Sequence, residues 1–334
     1  MSRAMSMADI KSVLVVKPSS LGDIVHTLPS VHLLKQTWPH LKIQWIVNTE
    51  WAPLLTGNPD LDRVFIFPRK NFRRLPDLYK LRDWLWEVSR IKPDLALDFQ
   101  GLMRSALIAK ISGARSVHCL ADAEVTPRFL SHRVVPAIRS EEHAVTRYLK
   151  LVADLGVDVN VPLEFPLPTG EKPLGAELPE RYLLVHPFSR GENKSLSRES
   201  LERMFQLLAP IPIVLAGRAE KDFQVPRGCV NLLNRTSLPE LIWLIRHAQF
   251  TVSVDSGPMH IAAAITGRLL GIHNWTNPLL VGPYNPEAWV WKNGGLLQMR
   301  DVTLENVSGS RGFGMEDVEK VAGFLKEQFS ASAS

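Results

Sequence analysis

Cysteine is nearly absent from this 334-residue chain: Cys119 and Cys229 stand far apart, outside any Cys-x-x-Cys spacing. That excludes a disulfide scaffold, argues against a zinc site and favours a reducing compartment. Long apolar runs are missing too. No stretch approaches the roughly 18 apolar residues of a membrane span. The run Val13–Val16, after a polar Met1–Lys11, is too short for a secretory signal, so a cytosolic protein is expected. Also lacking are G-x-G-x-x-G and G-x-x-x-x-G-K-[ST], which disfavours a nicotinamide dehydrogenase or a P-loop enzyme. With no H-E-x-x-H and no G-x-S-x-G either, nothing supports a zinc peptidase or a serine hydrolase, and no metal or cofactor is expected.

What is present suits folded cores. The chain is 45% hydrophobic and 22% charged, and its length fits about two domains. The net charge of +5 lies wholly in residues 1–165, with 22 basic against 17 acidic side chains. Arg69, Lys70, Arg73, Arg74, Lys80 and Arg82 cluster around a single acid, Asp77. Such a patch is either a solvated helix face or a site for an anionic partner, whether membrane surface, phosphorylated glycolipid or nucleic acid.

Apolar runs at 12–17, 43–47, 64–67, 95–99 and 134–135 alternate with helical-period stretches at 78–91 and 102–111, and Pro29 is expected to kink the first helix or start a second. Alternating strands and helices mean a parallel α/β sheet covered on both faces. Prolines and glycines crowd residues 156–181, after which the rhythm resumes with strands at 182–186, 211–215 and 250–254 and helices at 198–208 and 259–265. Ser237 and Glu240 form a capping box for a further helix. The division is therefore residues 1–160, a linker 161–180 and residues 181–334, with open whether Met315–Phe329 crosses back onto the first domain.

Polar residues gather at strand-to-helix turns, where open parallel sheets bind ligands. Asp23, beside Ser19 and Ser20, is either a helix-start carboxylate facing the dipole or a general base for an acceptor hydroxyl. Asp255-Ser256-Gly257 opens another helix, with His260 a turn later; free amides at a helix start suit a phosphate, and Asp255 suits capping or a sugar hydroxyl. His260 alone reads as a structural histidine. Lys194, in the loop after another strand, is either a surface lysine or a cation for a diphosphate.

Four segments resemble a family. Lys17-Pro18-Ser19-Ser20-Leu21-Gly22-Asp23-Ile24-Val25-His26-Thr27-Leu28-Pro29 looks like the N-terminal signature of the bacterial ADP-heptose:lipopolysaccharide heptosyltransferases, glycosyltransferase family 9. Asp98-Phe99-Gln100-Gly101-Leu102-Met103-Arg104-Ser105-Ala106, the loop bearing Lys194, and Ser253-Val254-Asp255-Ser256-Gly257-Pro258-Met259-His260 follow in the family's order. Within the family the chain most resembles the heptosyltransferase I group.

The resemblance implies a GT-B fold of two Rossmann-like domains facing across a cleft, which close about the linker. It implies an inverting, metal-independent transferase that moves L-glycero-D-manno-heptose from ADP-heptose to a Kdo residue of the lipopolysaccharide inner core, Kdo-lipid A. Asp23 would be the catalytic base. Ser189, Lys194, Glu220, Asp222, Asp255, Ser256, Gly257 and His260 would bind the nucleotide-sugar donor. Ser19, Ser20, Gly22, Arg69, Arg73, Arg74, Gln100 and Arg104 would face the anionic glycolipid acceptor. A cytoplasmic enzyme in peripheral contact with the inner membrane, without nucleic acid, follows.

The chain departs from the family pattern at three places. Lys194-Ser195-Leu196 stands for Lys-x-Trp, and His273-Asn274-Trp275-Thr276 for Tyr-Gly-Pro-Thr. An arginine expected near Ala123-Glu124 is missing, with Arg128 or Arg133 as substitutes. The rival readings are a family member with another sugar or acceptor, a nucleotide-sugar epimerase or hydrolase on the same fold, and a non-catalytic module docking on anionic surfaces.

Overall fold

A computed structural model describes residues 9–68, 78–189, 194–219 and 229–331. The chain divides into two compact units, Met1–Leu167 and Pro168–Ser334.

The first unit is built on β1 (Ser12–Val16), β2 (Lys42–Asn48), β3 (Arg63–Phe67), β4 (Leu95–Asp98), β5 (Ser116–Leu120) and β6 (Arg133–Val135). Its helices are α1 (Leu21–Thr37), α2 (Leu78–Ser89), α3 (Met103–Ile111), α4 (Val125–Leu130) and α5 (Ala144–Ala153). All pairings are parallel, in the order β3-β2-β1-β4-β5-β6. Val13 to Val16 are fully buried, as a central strand covered on both faces requires. Trp84 and Val88 of α2 and Ile108 and Ala109 of α3 pack with Leu14, Val16 and Ala96 on one face, while α1 and α5 pack together.

Pro29 neither ends nor restarts the first helix: α1 runs unbroken over 17 residues with Pro29 inside it. Nearly every residue from Ile24 to Leu34 is buried, so tertiary packing outweighs the lost backbone hydrogen bond.

The second unit holds β7 (Leu183–His186), β8 (Ile213–Gly217), β9 (Cys229–Leu233), β10 (Phe250–Val254), β11 (Leu269–Ile272), β12 (Trp289–Lys292) and β13 (Gly295–Gln298). With them are α6 (Arg198–Leu208), α7 (Leu238–His247), α8 (Gly257–Ile265), α9 (Pro278–Val281), α10 (Leu304–Val307) and α11 (Met315–Ala331). The order is β13-β12-β11-β10-β7-β8-β9, parallel except for the β12–β13 hairpin. Helix α11 packs on α6 of this same unit, burying Val318, Val321, Ala322 and Leu325 in its core. Arg203 bonds Glu319 at 3.1 Å, and Arg181 donates to the Phe329 carbonyl at 2.9 Å.

Hairpin β13 aside, both sheets share one order: the chain builds outward from the first strand, then returns to place the fourth on its other side. That reversal opens a crevice at the carboxyl ends of β1 and β4, and again at those of β7 and β10. No helix among the described residues is long and apolar enough to cross a membrane.

Candidate active site

At the first reversal, β1 delivers Lys17 and the turn Pro18-Ser19-Ser20 delivers Asp23 into the opening turn of α1. The Ser20 amide and hydroxyl both donate to Asp23 Oδ2, at 3.1 and 2.6 Å. Asp23 Oδ1 accepts from the Tyr148 hydroxyl at 3.0 Å and lies 3.9 Å from Lys17 Nζ. Lys17 Nζ donates in turn to the Tyr148 oxygen at 2.8 Å and to the Phe99 carbonyl at 3.0 Å. Burial by itself raises the Asp23 pKa, but the Lys17 charge and the Ser20 hydroxyl outweigh it and hold the carboxyl well below the usual range. Burial lowers the Lys17 pKa and raises that of Tyr148, which stays a protonated donor. Asp23 thus combines capping with a carboxylate whose side chain is still 35% exposed.

Beside it, the turn after β4 is tied by Asp98, which accepts from the Gln100 and Gly101 amides at 3.0 Å each and from the Ser105 hydroxyl at 2.9 Å. Gly101 is required here: its φ is +68°, and a Cβ would fall 2.9 Å from that of Ala123. Gln100 Oε1 accepts from the Ser19 amide at 3.2 Å, joining the two turns. A cavity of about 130 Å³ adjoins them, lined among others by Gln100, Leu102, Asp122, Arg139, Arg147 and Tyr148. Buried Arg147 is paired with Asp122, and exposed Arg139 lies 4.0 Å from the same carboxylate.

At the second reversal, Ser256 caps α8, and Gly257 and Pro258 form its first positions. Buried Asp255 accepts from Lys194 Nζ at 2.6 Å. Burial raises the Asp255 pKa, yet His273 and the Lys194 bond bring it below the ordinary value. His260 and His273 are both buried. His186, at the end of β7, faces the Ser256 hydroxyl at 3.4 Å, and burial drives its pKa down to about 4. Burial does the same to His273, against the pull of Asp255. The Ser189 amide donates to the hydroxyl of Ser195, the neighbour of Lys194, at 3.0 Å.

A model of glycosyltransferase family 9 (heptosyltransferase) matches residues 87–308. The chain belongs to this family. Lipopolysaccharide heptosyltransferase 1 of Pseudomonas aeruginosa is 28% identical over 296 residues, 81% of each chain. Its namesake from Escherichia coli O18:K1:H7 is 25% identical, over 93% of this chain and 99% of that one. Among solved structures, E. coli heptosyltransferase WaaC with ADP superposes with a TM-score of 0.76 at 23% identity, covering 95% of this chain and 99% of its own. E. coli ADP-heptose LPS heptosyltransferase II gives 0.74 at 20%, over 97% and 100%. The fold is accordingly GT-B, with two Rossmann-like units, and the protein is a glycosyltransferase.

In this family 9 member the structure gathers Ser19, Ser20, Gly22, Asp23 and Gln100 at the first unit's reversal, and Lys194, Asp255, Ser256, Gly257 and His260 at the second's. Arg104 lies exposed on α3 and does not line the cavity. Arg69, Arg73, Arg74, Glu220 and Asp222 fall outside the described residues. Of the arginines expected to stand in near Ala123-Glu124, Arg133 opens β6, at the amino end of the parallel strands whose carboxyl ends face the cavity, and forks onto Asp154. Arg128 is exposed on α4; the guanidinium groups at the cavity belong to Arg139 and Arg147 instead. Sequence reasoning also missed Lys17 and Tyr148 as site groups and His186 as the support beneath Ser256. Leu196, at the position where the resemblance leads to the expectation of tryptophan, is buried in the core of the second unit.

Proposed function

We propose that the protein transfers L-glycero-D-manno-heptose from ADP-heptose to a Kdo hydroxyl of the lipopolysaccharide inner core, with inversion and without a metal. The observation that carries this reading is Asp23: ionised, fixed by Ser20 and Tyr148, and still reachable from solvent. The acceptor oxygen attacks the anomeric carbon, and the bond from that carbon to the diphosphate breaks with its electron pair leaving on ADP. Asp23 takes the hydroxyl proton. Its low pKa makes it a weak base, which suits a late transfer, once the forming bond has acidified the hydroxyl.

On the donor side, Lys194 gives one N–H to Asp255 and keeps two for the diphosphate. Amides at the start of α8 add further positive potential toward the leaving group. The relatives named lipopolysaccharide heptosyltransferase 1 support heptose as the sugar and lipopolysaccharide as the acceptor class; the Kdo hydroxyl is our own reading within that class.

The first test is a thermal shift with ADP, UDP, GDP and CDP, with and without EDTA; selective stabilisation by ADP that survives EDTA is expected. Turnover of ADP-heptose then requires Kdo-lipid A, and Asp23→Ala lowers it by about 10²–10⁴-fold while ADP binds nearly as before. Equal loss of turnover and ADP affinity would remove Asp23 from the role of base.

A further inference from the structure

Helix α3 is apolar on both sides. Ser105, Ala106, Ile108 and Ala109 are buried, while Met103, Leu107 and Ile111, spaced by four, form an outward ridge exposed by 45%, 45% and 38%. Phe129 of α4, which packs beside α3, is 84% exposed, and Trp86 of α2, on the same sheet face, 62%. Of 14 large apolar side chains exposed among the described residues, seven lie on these three helices or on the α3 cap residue Leu102. A surface helix ordinarily turns polar residues outward, and a continuous exposed apolar patch marks a contact surface.

Charge selects the occupant. Helical spacing puts exposed Arg104 and Lys110 on opposite flanks of the ridge, and exposed Arg128 adjoins Phe129. The Arg90 guanidinium lies 4.5 Å from the Trp86 ring centre. The α2 acids Asp83 and Glu87 are already paired, with Arg82 and Arg63, and Glu124 accepts from the Met103 amide. An apolar ridge flanked by long cationic side chains, whose stems can lie along it while their heads reach outward, matches anionic lipid headgroups over acyl chains.

We infer that the α2–α3–α4 face docks on a lipid surface bearing anionic headgroups. Leu102, beside the ridge, also lines the cavity next to Tyr148, so lipid held there adjoins the acceptor-side residues. The inference deepens the acceptor reading above and rests on it only in that step.

The experiment is flotation with vesicles of phosphatidylethanolamine and phosphatidylglycerol against vesicles of phosphatidylcholine, at low and high salt. Wild type is expected to favour the anionic vesicles and to release in salt. Leu107→Glu with Phe129→Ser, at an unchanged thermal midpoint, is expected to weaken partition by about tenfold or more. Lys110→Gln with Arg128→Gln is expected to abolish the anionic preference. Wild-type partition by the apolar-to-polar variant overturns the proposal, as does a dimer that this variant dissolves while wild type ignores vesicles. Partition is read without turnover: a protein that docks but leaves ADP-heptose intact sinks the functional reading and keeps this one.

Discussion

Asp23 was legible as a helix-start carboxylate, because it stands three residues after a serine at a strand-to-helix turn; the turn leaves the choice between cap and base open, and the family resemblance makes it. Tyr148 was not: it lies 125 positions away, and in sequence it is one more aromatic on an amphipathic helix. Its hydroxyl takes a hydrogen bond from Lys17 and gives one to Asp23, so it both fixes the carboxylate and favours the ionised form. Tyr148→Phe keeps the ring against Phe99 and removes the hydroxyl with both its bonds, the one given to Asp23 and the one taken from Lys17. The expected result is a higher Asp23 pKa, read by carbon NMR of the carboxyl with Asp23→Asn for assignment, and an acid limb of kcat/KM that moves up with it. In wild type, Asp23 is ionised throughout the neutral range, so that limb owes nothing to Asp23 above about pH 4. An unchanged carboxyl titration in Tyr148→Phe would reduce Tyr148 to packing.

Elements with strong local signals stood where the sequence put them. The Ser237–Glu240 box caps α7, its carboxylate taking the Ser237 amide at 2.7 Å, and α6 spans the periodic run Arg198–Leu208. Elements set by tertiary context did not stand out: β5 carries His118 at its centre, and the β12–β13 hairpin depends on its sheet neighbours. The end of β8 shows such dependence at one residue. Gly217 has φ +123°, and a Cβ there would fall 2.6 Å from His186 Nε2, whose ring supports Ser256 at the start of α8. Gly217→Ala is therefore expected to cost on the order of 3 kcal/mol in urea unfolding, part strain and part clash. Adding His186→Ala removes the clash and leaves the strain, so the double variant should lose less than the sum of the two single losses. Strict additivity would show that the ring moves aside freely.

At the scale of the whole molecule, the two units carry buried groups with opposite responses to acid. In the second unit His186 and His273 are neutral when folded, with pKa values lowered by burial to about 4, whereas unfolded imidazoles take a proton near 6.5. Between those values the unfolded chain binds more protons, so stability falls as pH drops, by about 3 kcal/mol per histidine if the full shift is realised. In the first unit burial raises the Asp98 pKa to about 6 from 3.8. There the folded state binds the extra proton, so the same acidification adds stability, also on the order of 3 kcal/mol. Below pH 4 the depressed pKa of Asp23 works against the first unit, because protonation cancels its pairing with Lys17. From pH 6.5 down to 4, hydrogen exchange should therefore show β7, β10 and β11 losing protection while β1 and β4 hold theirs. Replacing His186 and His273 by asparagine should flatten the pH dependence of the second unit, whatever it does to stability at neutral pH. Loss of protection first in β1 and β4 would show that the Asp98 and Asp23 network, not the buried imidazoles, governs the acid limit.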